Sequence, residues 1–220
     1  MRVEGTACVC GRGQSDIVIH EQHPCGTRCP ARDETSVPGM QERIVKHCAP
    51  TLAGLKCGSM FRVCSGPHGI HGCLDEIRRS IGPRGVRIDI LDRDEGSCLL
   101  YVYRPKLLAA RMDDPAVRDF MTSVGYSDFR VDALVSELSR RFGCFEGMPH
   151  EVGIFLDYPM EDVLGYIENA GRGCRCVGCW KVYGDVAEAE KRFSVYHKCR
   201  SVLSRRLSEG CDLSVLTVEC

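Results

Sequence analysis

The chain has 220 residues, a formal net charge of -1, 44% hydrophobic residues and 27% charged residues. That length buries a real core and is most economically one domain of ordinary globular composition. The near-neutral charge gives no reason to expect nucleic acid or an acidic membrane as partner, no apolar run approaches the roughly 18 residues of a membrane span, and the N-terminus lacks the apolar segment of a signal peptide.

Sixteen cysteines are the anomaly. With nothing directing export, a cytoplasmic setting and reduced thiols are expected. The roles left open are core packing, metal binding and redox chemistry.

Residues 1–39 contain no aromatic residue and are interrupted by Pro24, Pro30 and Pro38. They are expected to be a poorly ordered extension, with Met40 as the natural start. Cys8, Cys10, Cys25 and Cys29, with His20 and His23, have the chemistry of zinc ligands but lack knuckle spacing. The disordered-tail reading is preferred.

A domain is expected over residues 40–210. Gln41 to Cys48 predicts a short helix, Pro50 starts a second over 50–56, and Gly58 releases the chain. Residues 71–81 are helical by the spacing of Leu74, Ile77 and Ile81, and Gly82-Pro83 stops them. Val86 to Leu91 alternates as a half-buried strand does. Asp92 to Gly96 reads as a turn, and Cys98 to Tyr103 is continuously apolar, as in a central strand covered on both faces. The two strands predict an antiparallel hairpin.

Helices follow from Pro105, from Asp114-Pro115 and through Val131 to Phe142, each with an apolar stripe. Val152 to Leu156 fits a third strand. Pro159 begins a helix carrying Glu161 and Asp162 in its first turn, where the dipole favours negative charge. Cys176 to Tyr183 fits a fourth strand. Asp185 and Glu188 match a capping box opening the long last helix, and Cys211 to Cys220 suggests a tail or edge strand.

Four segments, HCAPTLAGLK (47–56), LLYVYRPK (99–106), PHEVGIFLDYPMEDV (149–163) and CWKVYGD (179–185), resemble the hallmarks of one bacterial family. It is the domain of unknown function thirty-seven ninety-three, found mostly in anaerobic, gut-type bacteria. The resemblance spans about residues 40–208 and implies a cytosolic α/β domain, with no established catalytic residue. Where the family usually has Gly in its FLGYP segment, this chain has Asp157, which would suit a helix N-cap.

The polar residues of these motifs are the natural ligand site. His150 and Glu151 precede the expected third strand, and Tyr158, Glu161 and Asp162 follow it. Arg104 ends the central strand, and Trp180 and Lys181 lie on the fourth. Converging charges against an aromatic wall make a small-ligand pocket. The plainer reading pairs Arg104 and Lys181 with the carboxylates.

Cys174, Cys176 and Cys179 are the densest thiols and would take zinc or another thiophilic metal, with His197 or Cys199 as fourth ligand. As a redox pair, Cys176 and Cys179 open no helix that would lower a thiol pKa. A nucleophilic pair of Cys48 with His150 or His47 is the enzymatic alternative, with His150 the better-placed base. Against it stands a buried, packed Cys48.

The expectation is therefore an α/β (α+β) single domain, with a small mixed or antiparallel sheet of about four strands flanked by helices. The preferred function is a binding or regulatory protein holding a small molecule or metal near residues 149–183. The alternatives are a thiol-dependent enzyme using Cys48 and His150, and a structural interaction module whose last helix docks a protein partner or second copy.

Overall fold

A three-stranded antiparallel sheet separates two apolar layers in the computed structural model, which describes residues 36–64, 69–94, 96–144 and 148–219. Its strands are β1 (Gly58–Cys64), β2 (Arg87–Asp94) and β3 (Ser97–Tyr103), in the order β1-β3-β2. The middle strand explains the continuous apolar run. Cys98, Leu100 and Val102 enter one layer, and Leu99, Tyr101 and Tyr103 enter the other. Each fully buried large side chain there contributes roughly 1.5–3 kcal/mol relative to exposure.

The first layer is closed by α1 (Val37–Leu52), α2 (His71–Ile81) and the short α9 (Leu213–Leu216). The second is closed by α3 (Pro105–Met112), α4 (Pro115–Ser123), α5 (Val131–Cys144) and the segment from 148 to 185. The long α8 (Val186–Ser208) then packs along α1. The expected hairpin of β2 and β3 and the helices at 71–81, 105–112, 115–123 and 131–144 are all present.

Several elements differ from the sequence reading. Residues 37–52 form one helix that passes through Pro50, not two. Ile44, Val45, Cys48, Ala49 and Leu52 are all buried along it, and that burial outweighs the cost of an interior proline. Its start, with the Ser36 hydroxyl accepting from Gly39 N at 3.2 Å, falls before the expected boundary at Met40. Strand β1 was not expected. Met60 faces one layer and Phe61 and Val63 the other, too short an alternation to stand out behind Gly58.

Val152–Phe155 is a single helical turn, α6, rather than a strand. Its residues are buried all round, and such a run carries no period that separates strand from helix. Residues 176–183 fold back as a minimal hairpin of β4 (Cys176–Val177) and β5 (Lys181–Val182). The tail forms α9 instead of an edge strand, capped by Asp212, which accepts from Ser214 N at 2.7 Å. The turn expected from Asp92 is shorter, because β2 runs on to Asp94. The extension holding Cys8, Cys10, His20, His23, Cys25 and Cys29 lies outside the described residues.

Candidate functional site

The site is built by α6, by α7 (Met160–Glu168) and by the β4–β5 hairpin. Tyr101 donates its hydroxyl to the Phe155 carbonyl at 2.9 Å, which fixes α6 against the sheet. The chain then turns through Asp157, whose φ is 61°. That left-handed conformation favours glycine, the residue usual there in the resembled family. Asp157 is therefore not the expected N-cap. Pro159 takes that position, and the Asp157 carboxylate accepts from Cys57 N at 3.3 Å and faces Arg111 Nε at 3.8 Å.

Helix α7 carries Asp162 inward. Its Oδ2 accepts from the Trp180 indole at 2.6 Å, and its Oδ1 accepts from Tyr183 N at 2.7 Å and Gly184 N at 2.8 Å. Three donors on one buried carboxylate lock the hairpin to the helix. Gly165 permits this approach, since a Cβ there would run into the Tyr183 ring. Glu161 adds a second tie, accepting from Asp185 N at 3.1 Å, while Asp185 accepts from Glu188 N at 3.1 Å. The capping box is thus completed by Glu161 and not by Glu188.

Trp180 stacks on Tyr158 with ring centroids 5.1 Å apart and meets Phe193 edge-on at 4.5 Å. Burial pushes the Tyr158 phenol up, so it stays protonated and donates to the Cys179 carbonyl at 3.4 Å. Lys181 Nζ donates to the Gly171 carbonyl at 3.1 Å and sits 5.6 Å from the Tyr166 ring centre. The exposed His150 ring lies 5.9 Å from Tyr166. His150, Tyr158, Asp162, Tyr166, Trp180 and Lys181 line one small, partly open cleft.

Five of the eight residues nominated from the sequence meet in that cleft, and three do not. Arg104 is buried behind α1, donating to the carbonyls of Thr51 at 2.6 Å, Val218 at 2.7 Å and Arg84 at 3.2 Å. Glu151 is buried against Arg141 at 3.0 Å and Tyr126 Oη at 3.3 Å. Glu161 caps α8 as described. Lys181 bonds a carbonyl rather than the carboxylate partner of the plainer reading.

Tyr166 is the cleft residue that sequence reading missed. Its signal was its place one helical turn after Asp162, on the same face of α7.

The thiols do not assemble as expected. Among the described residues no group of three or more His, Cys, Asp or Glu could hold a metal ion, so Cys174, Cys176 and Cys179 form no such centre. The hairpin separates them. Cys179 Sγ lies 3.8 Å from His197 Nε2, while Cys174 stands beside Tyr183.

Cys48 is 0% exposed within the first apolar layer, and burial pushes its thiol up. A protonated, inaccessible thiol is not a nucleophile. Its polar surroundings are Ser59, Lys56 and Arg200, whereas His150 is exposed at the cleft. His47 is buried and stacked on Phe61 at 4.9 Å.

These features define a mixed α/β domain with an aromatic-walled cleft between a helix and a small hairpin. The chain belongs to the family described as Protein of unknown function (DUF3793), whose profile matches residues 44–217. No curated protein and no solved structure is significantly similar to it. Among the described residues no helix is long and apolar enough to cross a membrane.

Proposed function

We propose that the chain is a binding domain that takes a small planar anion in the cleft between α7 and the β4–β5 hairpin. The observation that carries this reading is the joint lining of one cleft by His150, Tyr158, Asp162, Tyr166, Trp180 and Lys181. Tyr166, which is half-buried, offers flat apolar surface, and Trp180 closes the wall behind it. Lys181 keeps two ammonium donors beyond the one given to Gly171, and His150 stands at the exposed rim. Both oxygens of Asp162 are already occupied, so the open donors of the cleft belong to cationic or imidazole groups.

A planar carboxylate fits this chemistry, its ring against the aromatic walls and its charge toward Lys181. The reading includes a reducing, cytoplasmic setting, which the thiol form of the described cysteines favours.

Trp180 is the sole tryptophan, so its fluorescence reports the cleft. Benzoate is expected to change that fluorescence saturably in the millimolar range or below. Lys181→Met is expected to weaken the effect about tenfold, or ~1.4 kcal/mol. A response that never saturates, or one identical in Lys181→Met, would overturn the proposal.

A further inference from the structure

Lys56 does not line the cleft, but its amine meets the ring of Tyr158, a residue of the cleft. It follows the closing turns of α1, where Leu55 N donates to the Pro50 carbonyl at 2.8 Å. The next residue is clamped on both sides. Cys57 N donates to Asp157, and the Cys57 carbonyl accepts from Arg104 N at 2.8 Å. The lysine therefore leaves a fixed piece of backbone.

Its Nζ stands 5.5 Å from the Tyr158 ring centre and 5.8 Å from that of Tyr196 on α8. Among the described residues it makes no hydrogen bond and no ion pair within 4 Å. An ammonium ion in an aromatic cage is a common packing device. An amine held there without an acceptor is also positioned to react.

We propose that Lys56 is a nucleophilic amine that captures a small aldehyde as an imine within the cage of Tyr158 and Tyr196. The neutral amine attacks the carbonyl carbon and forms a C–N bond, while the carbonyl electron pair moves to oxygen and takes a proton. The carbinolamine then loses its hydroxyl as water, C=N forms, and both amine protons depart in that water. Nothing is oxidised or reduced.

The surroundings suit the attack. Burial lowers the basicity of Lys56, which raises the neutral fraction. Cys57, Asp157, Cys179 and Cys48 face it from the residue before β1, the α6–α7 turn, the hairpin and α1, in that order of influence, and each acts to restore the charge. Burial outweighs them. Burial also holds Cys57, Tyr158 and Tyr196 protonated. Arg200 and Arg111 are the other cations facing this group of thiols. The residue keeps partial solvent exposure, which entry of a small solute requires.

The test needs no variant. The intact protein is treated at pH 7 with limiting propanal and sodium cyanoborohydride, which converts an imine to a stable alkylamine, and the modified lysines are located by peptide mass spectrometry. Alkylation is expected at Lys56 several-fold ahead of the exposed Lys46, Lys191 and Lys198, with the preference shrinking as pH approaches 10. Lys56 reacting no faster than those three would overturn the proposal and leave a packing role alone. Because propanal carries no charge or ring, this outcome is independent of benzoate binding in the neighbouring cleft.

Discussion

The Trp180 indole donates to Asp162 Oδ2 at 2.6 Å, and both residues are almost wholly buried, at 2% and 3% exposure. This contact, with the two backbone donors on Oδ1, makes the cleft a joint property of α7 and the hairpin. Asp162→Asn places an amide where one of three donors must be accepted. It is expected to cost about 2 kcal/mol or more in chemical denaturation. The Trp180 emission should shift toward the exposed wavelength range while α1, α2 and the main sheet remain folded.

Arg104→Lys should destabilise the protein by about 3 kcal/mol, because one ammonium cannot span the carbonyls of Thr51, Val218 and Arg84 that the guanidinium bridges. Benzoate affinity per folded molecule should not change, since Arg104 lies outside the cleft. Denaturant midpoints and fluorescence titration read the two effects separately.

Asp157→Gly relieves a left-handed backbone but loses the contacts to Cys57 N and Arg111. Those terms are each about 1 kcal/mol and opposed, so the stability change should stay within about 1 kcal/mol. Asp157→Val keeps the strain, adds a branched Cβ and loses both contacts, and should cost about 2 kcal/mol or more. Thermal unfolding of the two variants side by side checks the contrast.

Stability should fall at both ends of the pH range. Glu137 is held down to about 2, chiefly by the hydrogen bond from Arg140 and further by Arg141, against a usual 4.5. A depressed carboxyl contributes stability above its unfolded value, and this is lost as pH falls from about 4.5 toward about 2. At the other end, burial raises the Cys48 and Cys57 thiols above their usual 9.0. Their contribution is fully present below pH 9.0 and is lost as pH rises above it, because the unfolded chain then sheds protons that the folded chain keeps. Urea midpoints under reducing conditions from pH 8 to 10.5 should decline, and Cys48→Ala/Cys57→Ala should decline less steeply.

Much of this architecture is legible in the chain. The apolar run at 98–103, the caps at Asp114 and Asp185 and the helical stripes specify their elements locally, and the sheet then has only to collect them. The failures share a cause. Val152 to Leu156 and Met60 to Val63 are short and buried from several sides, so their conformation is set by what surrounds them and not by period.

The site divides in the same way. His150, Tyr158, Asp162, Trp180 and Lys181 converge because they lie on contiguous elements. Arg104 and Glu151 look functional in sequence, but their charges are spent on carbonyls and on Arg141 inside the fold. Lys56 showed only as the end of a family motif, because the rings that cage it come from residues 158 and 196.

The most direct measurement is a backbone amide NMR titration of the full chain with benzoate. The binding account predicts saturable shifts concentrated at His150, Tyr158, Asp162, Tyr166, Trp180 and Lys181, with the sheet strands unmoved. Shifts scattered over the surface, or none at those six residues, would contradict it.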